Sequence, residues 1–182
     1  EEVSPGAWVA WEQIVEVAPD GSTDVVFDGA LHAEVDFGIV PVLSPVRPEV
    51  GTFKSTPAVD SLYYRPEDDA YYMNVLYGGS QDPQSEPRAL VRFDRSTRQV
   101  RWIMGGPRST FTFDGGPEMP WVVQHGMDAT DHSIVVFANN TPVEDCSQVF
   151  EMSVDLDSLT TEPIWSYRPD DCRYVAALGT VQ

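Results

Sequence analysis

Short alternating runs of apolar and polar residues fill this chain, broken at close intervals by Pro, Gly, Asp and Ser. No helix-length window keeps an apolar stripe at helical spacing without an intervening Pro or Gly. The alternation instead predicts strands over Trp11–Val17, Thr23–Phe27, Ser61–Tyr64, Ala70–Tyr77, Ala89–Phe93, Val100–Met104, Val122–Met127, Ser133–Ala138, Gln148–Val154 and Ile164–Tyr167. Turn clusters separate many of them: Ala18-Pro-Asp-Gly21, Arg65-Pro-Glu-Asp-Asp69, Asp94-Arg-Ser-Thr97 and Asp155-Leu-Asp-Ser158.

These turns expose a repeat. One unit runs from Ala89 to Trp102, and a second runs from Val149 to Leu159 and closes on Ile164-Trp165. The spacing between Trp102 and Trp165 equals the spacing between Asp68 and Asp131. A looser copy is Ile14–Gly21, ending at Val25-Val-Phe27. Each unit is a strand, an Asp-containing turn and a strand ending in an aromatic. Such a unit has a face to bury and needs neighbours to bury it. The period exceeds the roughly 40–45 residues of a WD repeat but fits a propeller blade with long loops. The expected class is therefore all-β, a β-propeller fragment, with a β-sandwich as the competing architecture. Three blades fit, over roughly 1–55, 56–118 and 119–182. A closed propeller typically takes at least about four. The run Tyr174–Gln182 reads as the start of a further strand, so the expectation is a partial domain cut short at its C-terminal end. Trp102 and Trp165, by their place in the repeat, are expected in blade cores and not on a sugar-stacking platform.

Composition sharpens this picture. The 182 residues are 42% hydrophobic and 11% aromatic, which is globular and rich in strand formers. A formal net charge of -18 repels phosphate backbones and argues against nucleic acid as a partner. Any anionic ligand needs local positive groups. No apolar run approaches the roughly 20 residues of a membrane helix. Cys146 and Cys172 lie outside any CxxC motif, which leaves a disulfide in an oxidising compartment or two unpaired thiols.

Candidate chemistry is sparse. His125 follows Trp121-Val-Val-Gln124 and is either a channel-facing imidazole or a structural one. His32 lies in Leu31–Asp36, before a long insertion reaching to Ser55, and His132 sits in a turn. Arg108 follows Gly105-Gly-Pro107, a turn type that holds oxyanions, or else it packs over its own loop. Asp68-Asp69, Asp155/Asp157 and Asp170-Asp171 lack calcium-loop spacing and read as solvated turn carboxylates. Asn139-Asn-Thr141 fits the glycosylation triplet. No metal or cofactor is implied.

Four segments between Asp60 and Gln182 carry a family resemblance. They are Asp60-Ser-Leu-Tyr-Tyr-Arg-Pro-Glu-Asp-Asp69; the hairpin from Leu90 through Trp102 to Gly106; Arg108-Ser-Thr-Phe-Thr-Phe113 followed by Gln124-His125; and Trp165-Ser-Tyr-Arg168 followed by Leu178-Gly-Thr-Val-Gln182. In order and spacing they resemble the arylsulfotransferase family. The resemblance implies an exported, usually six-bladed propeller. It implies transfer of a sulfuryl group from an aryl sulfate to a phenol through channel histidines, one of them transiently sulfated. No nucleotide donor is involved. His125 stands at the family's channel histidine, and Asn139 at the Asn of its Phe-Asp-Asn-Gly motif, with Ala138 and Asn140 replacing the neighbouring Asp and Gly. The family's second histidine falls on or near Ala58, its Asn on Asp60, and its arginine has no counterpart in Leu76-Tyr-Gly-Gly79. The implied catalytic residue is His125. Asn139, Arg108 and His32 are the candidates for binding substrate, His32 by substituting for the missing histidine. The alternative that these departures support is a non-catalytic, secreted binding module that kept the fold.

Overall fold

The computed structural model describes residues 2–4, 7–10, 12–32, 40–43, 52–55, 58–76, 88–106, 108–113, 123–140 and 146–172. In chain order the strands begin with β1 (Glu2–Ser4), β2 (Ala7–Ala10), β3 (Gln13–Val17), β4 (Thr23–Asp28), β5 (Val40–Leu43) and β6 (Thr52–Ser55). Then come β7 (Ala58–Arg65), β8 (Ala70–Leu76), β9 (Arg88–Asp94), β10 (Gln99–Met104) and β11 (Thr112–Phe113). The last are β12 (Val123–Ala129), β13 (Ser133–Asn140), β14 (Gln148–Ser153), β15 (Thr160–Thr161) and β16 (Pro163–Tyr167). A single 3-10 turn, Gly29–Leu31, is the only helical element among the described residues. The protein is all-β. Each predicted strand is present, while the short β1, β2, β5, β6, β11 and β15 were not foreseen. Residues 173–182, where a further strand was expected, lie outside the described residues, as do Trp11, Tyr77 and Val122.

Two four-stranded antiparallel meanders carry the architecture. The first is β7-β8-β9-β10 and the second is β12-β13-β14-β16. β3 and β4 form a separate hairpin, and β1-β2-β6-β5 form a fourth sheet in which β2 and β6 run parallel. No sheet closes on itself among the described residues.

The inner strands β8 and β9 of the first meander are buried on both faces, and their sequence shows why. Successive strand residues point to opposite sides. Tyr71, Met73, Val75, Val91, Phe93 and Ile103 pack against Ile14, Val26 and Phe27 of the hairpin. Their neighbours Ala70, Tyr72, Leu90, Trp102 and Met104 pack against Met127, Ile134, Val136, Phe150 and Met152 of the second meander. Hairpin, first meander and second meander therefore stack face to face in chain order.

Polar contacts pin the stack at the turn end. Glu16 of β3 accepts hydrogen bonds from Arg95 and from the Tyr71 hydroxyl, the latter at 2.6 Å. Arg98 reaches Asp24 of β4 at 2.7 Å. On the other face Arg65 bonds Asp131 of the second meander, and Arg92 lies between Asp68 and Asp94. Tyr72 donates to Asp68, and burial helped by that carboxylate pushes its hydroxyl up to about 12. Asp68 is thus tied into an arginine network, which corrects its reading as a solvated turn carboxylate. The equivalent turns Asp94–Arg98 and Asp155–Leu159 each end on a non-glycine residue in the left-handed region, Arg98 at φ 56° and Leu159 at φ 54°. Asp155 offsets that cost by accepting the amides of Asp157 and Ser158.

The two repeat tryptophans part company. Trp102 is 3% exposed, edge-on to Tyr72 and Phe111, whereas Trp165 is 51% exposed and lies parallel to Tyr167. The expectation of a core Trp165 is corrected. It occupies the same side of its meander as Trp102, but no described residue covers that side.

Trp102→Ala is expected to lower unfolding free energy by about 3–5 kcal/mol, the cost of emptying a buried aromatic site. Trp165→Ala is expected to cost well under 1 kcal/mol, roughly that of a surface change. Urea titrations of the two variants compare them directly.

Arg95 first, then Tyr71, hold the Glu16 carboxyl down from 4.5 to about 2. A depressed carboxyl stabilises the fold fully above its unfolded pKa and loses that contribution as pH falls through the folded one. The Glu16 contribution is therefore complete above about pH 4.5 and gone near pH 2. Glu16→Gln should flatten the stability profile across that window while leaving the profile around neutral pH parallel to the parent.

Candidate functional site

The seam between the meanders is where the sequence candidates gather. β12 approaches both β7 and β8 there. In β12 the register steps from Gln124 opposite Ala138 to Met127 opposite Val136. His125 and Gly126 together thus face the single residue Phe137, which is a β-bulge. β7 has the same irregularity: Val59 pairs with Val75 and Ser61 with Asn74, leaving Asp60 extra. The bulge is a repeated feature of the first strand of each meander, and bulges bend a strand and re-aim its side chains.

A bulge also loosens backbone groups from the ladder, and the neighbouring sheet captures one here. The carbonyl of His125 accepts from Ser61 Oγ of β7 and, at 2.9 Å, from Asn74 Nδ2 of β8. Asn74 Nδ2 also donates to the carbonyl of Gln124 at 2.9 Å. Asn74, Gln124 and Asn139 are fully buried amides. The Asn139 carbonyl accepts from Ser147 Oγ at 3.0 Å. Asn139 lies on β13 one residue past the partner of Gln124, so His125 and Asn139 flank one ladder pair on adjacent strands. The His125 side chain is half-buried. Burial of Asn139 closes the triplet Asn139-Asn-Thr141 to a glycan.

The other candidates are elsewhere. His32 stacks on Phe27 at 4.9 Å and meets Phe93 edge-on at 5.3 Å. It belongs to the hairpin side of the first meander, which stands between it and His125. Arg108 is exposed in the turn after β10. That turn uses its own groups: Gly105 and Phe111 donate their amides to Ser109 Oγ, and the Ser109 amide bonds the carbonyl of Gly106. Arg65, which is buried, and Arg92, which is half-buried, sit toward the opposite end of the seam, against carboxylates. They line a cavity of about 180 Å³ with Asp68, Tyr72, Trp102 and Asp131. Asp131 is held below the usual carboxylate range by Arg65. Sequence reasoning missed Ser61 and Asn74. Both lie in predicted strands, and the signal that could have found them was a polar side chain in an otherwise apolar run.

Cys146 and Cys172 form a disulfide with Cα atoms 5.0 Å apart, tying the start of β14 to the segment beyond β16. This resolves the alternative the sequence left open. No three His, Cys, Asp or Glu side chains gather as a metal site among the described residues. No described helix is long and apolar enough to cross a membrane. Compared with known protein families and with curated proteins, the sequence matches no family model and no curated protein.

Asn74→Leu removes both Asn74 hydrogen bonds across the seam and leaves the Gln124 carbonyl buried without this partner. A loss of about 1–3 kcal/mol in urea unfolding is expected. Asn74→Asp should cost at least as much, because the donor becomes an acceptor facing two carbonyls.

Proposed function

We propose that the chain is part of a β-propeller similar to the arylsulfotransferases, with blades over roughly 1–55, 56–118 and 119–182, and that His125 is the nucleophile of a sulfuryl transfer. The observation that carries this reading is the placing of His125 at a bulge between the first strands of two stacked meanders, beside the buried Asn139. Those are the two positions of the family's sulfate pocket that the resemblance keeps in this sequence. Face-to-face stacking in chain order is what successive propeller blades require. The Cys146–Cys172 disulfide fits an oxidising, extracytoplasmic compartment.

In the proposed reaction a neutral imidazole nitrogen of His125 attacks the sulfur of an aryl sulfate. The S–O bond to the ring breaks, and its electron pair leaves with the aryloxide, which takes up a proton. A phenol then loses its proton as its oxygen attacks the same sulfur. The S–N bond breaks, and its electrons return to the imidazole. The seam fixes the His125 backbone through Ser61 and Asn74, which orients the ring. Asn139 is the nearest candidate to hold a sulfuryl oxygen by its amide. His32 has no part in this site.

A second reading is a secreted propeller that binds without catalysis. The specific observation favouring it is charge: Arg65 and Arg92 face carboxylates, and the family's arginine and second histidine have no counterpart. An assay of the whole propeller of which this chain is proposed to be part, with a chromogenic aryl sulfate and a phenol acceptor, separates the two. Acceptor-dependent release of the chromophore, reduced by about 10²- to 10⁴-fold in His125→Ala, is expected of the transferase. No turnover by a chain with an intact β-sheet spectrum, or turnover indifferent to His125→Ala, would give the second reading precedence.

A further inference from the structure

The cavity at the turn end of the seam is built by both meanders. The first supplies Arg65, Asp68, Tyr72, Arg92 and Trp102, and the second supplies Asp131 and Leu156 from connections between its strands. Tyr72 and Trp102 are each 3% exposed and make the deep wall. Asp131 and Leu156 are exposed and stand at the rim.

The two arginines in the wall are committed differently. Arg65 bonds Asp131 at 2.5 Å. Arg92 meets Asp68 Oδ2 at 3.4 Å and Asp94 Oδ1 at 3.3 Å, both longer than a charge-assisted hydrogen bond. Its Nε is buried without a hydrogen-bond partner among the described residues. Asp68 is in the same condition: Oδ2 accepts the Tyr72 hydroxyl at 2.7 Å, while Oδ1 is buried with no partner. An unspent donor and an unspent acceptor therefore lie side by side in one loose ion pair. Native proteins leave few buried polar groups unmade, and such groups are costly.

The wall also selects by charge. Two guanidinium groups and two carboxylates line it, so their formal charges cancel. An anion entering there meets Asp68 and Asp131, and a cation meets Arg65 and Arg92. A hydroxyl does what neither ion can, since one oxygen both donates and accepts. Tyr72, Trp102 and Leu156 add carbon surface for the C–H side of a ligand. The volume of about 180 Å³ is below the roughly 300–1,000 Å³ of drug-sized sites, which restricts the ligand to a single small ring.

We propose that this cavity binds a small neutral polyol the size of one sugar ring. One ligand hydroxyl enters the Arg92–Asp68 pair, accepting from the guanidinium and donating to the carboxylate. Trp102 keeps its place in the core and lends the cavity only part of its indole. The site lies at the end of the seam away from His125 and does not rest on sulfuryl transfer.

Saturation-transfer NMR titrations of the full-length protein with D-glucose, D-galactose and D-mannose test this. Saturable binding of at least one sugar is expected. The matching uronate and 2-amino sugar should bind about tenfold more weakly or worse, because each brings a like charge against the wall. Arg92→Gln should weaken binding by about tenfold or more, the size of a lost charge-assisted hydrogen bond. Leu156→Trp, a change at an exposed rim position, should abolish binding with the urea unfolding midpoint unchanged. It keeps the test independent of whether Arg92→Gln folds. No saturable binding of any of the three sugars would overturn the proposal. Charged counterparts that bind as tightly as the neutral sugar would overturn it too, as would binding indifferent to Leu156→Trp.

Discussion

The inner strands of the first meander, β8 and β9, have no solvent side, and the rest of the molecule follows from that. A sheet buried on both faces spends alternate residues on two different cores. Tyr71, Met73 and Val75 serve one, while Ala70 and Tyr72 serve the other. A one-residue slip in register would exchange the two sets and place both against the wrong neighbours. The hairpin and the second meander are thereby fixed to the same frame, through one sheet with a single allowed register.

Burial on both sides also forces a solution for charge. Lys and Arg number 11 against 29 Asp and Glu, so cations are scarce. Four of them, Arg65, Arg92, Arg95 and Arg98, stand against carboxylates where sheets meet. Removing one partner of such a half-buried pair strands the other, and that asymmetry matters more than the net worth of the pair. The same allocation bears on ligands. Arginines committed to the stack do not lend positive field to the far end of the seam. An anion bound at His125 would depend on hydrogen-bond donors close at hand.

The main strands were legible in the sequence because their apolar alternation and Asp turns repeat, and the repeat pointed to stacking. Trp165 was misjudged for a physical reason: a repeat gives a residue its side of a sheet, but whether that side is covered depends on a neighbour. The short strands β11 and β15 were invisible because their two-residue pairing is parallel and distant in sequence. His125 and Asn139 were legible only through resemblance. Their partners Ser61 and Asn74 were not, because a bulge is a mismatch between two strands, and a single strand read alone has no register. His32 looked like chemistry as an isolated imidazole, but its ring packs with Phe27 and Phe93 as an aromatic.

The bulge separates what the fold needs from what the chemistry needs. At the equivalent place β7 carries Asp60 and β12 carries His125. The stack calls for the extra residue and, in β12, for its carbonyl, which Ser61 and Asn74 hold. Neither demand specifies a side chain. His125 stands at the bulge with its backbone carbonyl anchored by two donors from another sheet. The backbone under that imidazole is held more firmly than on a loop, which is what the proposed nucleophile would require.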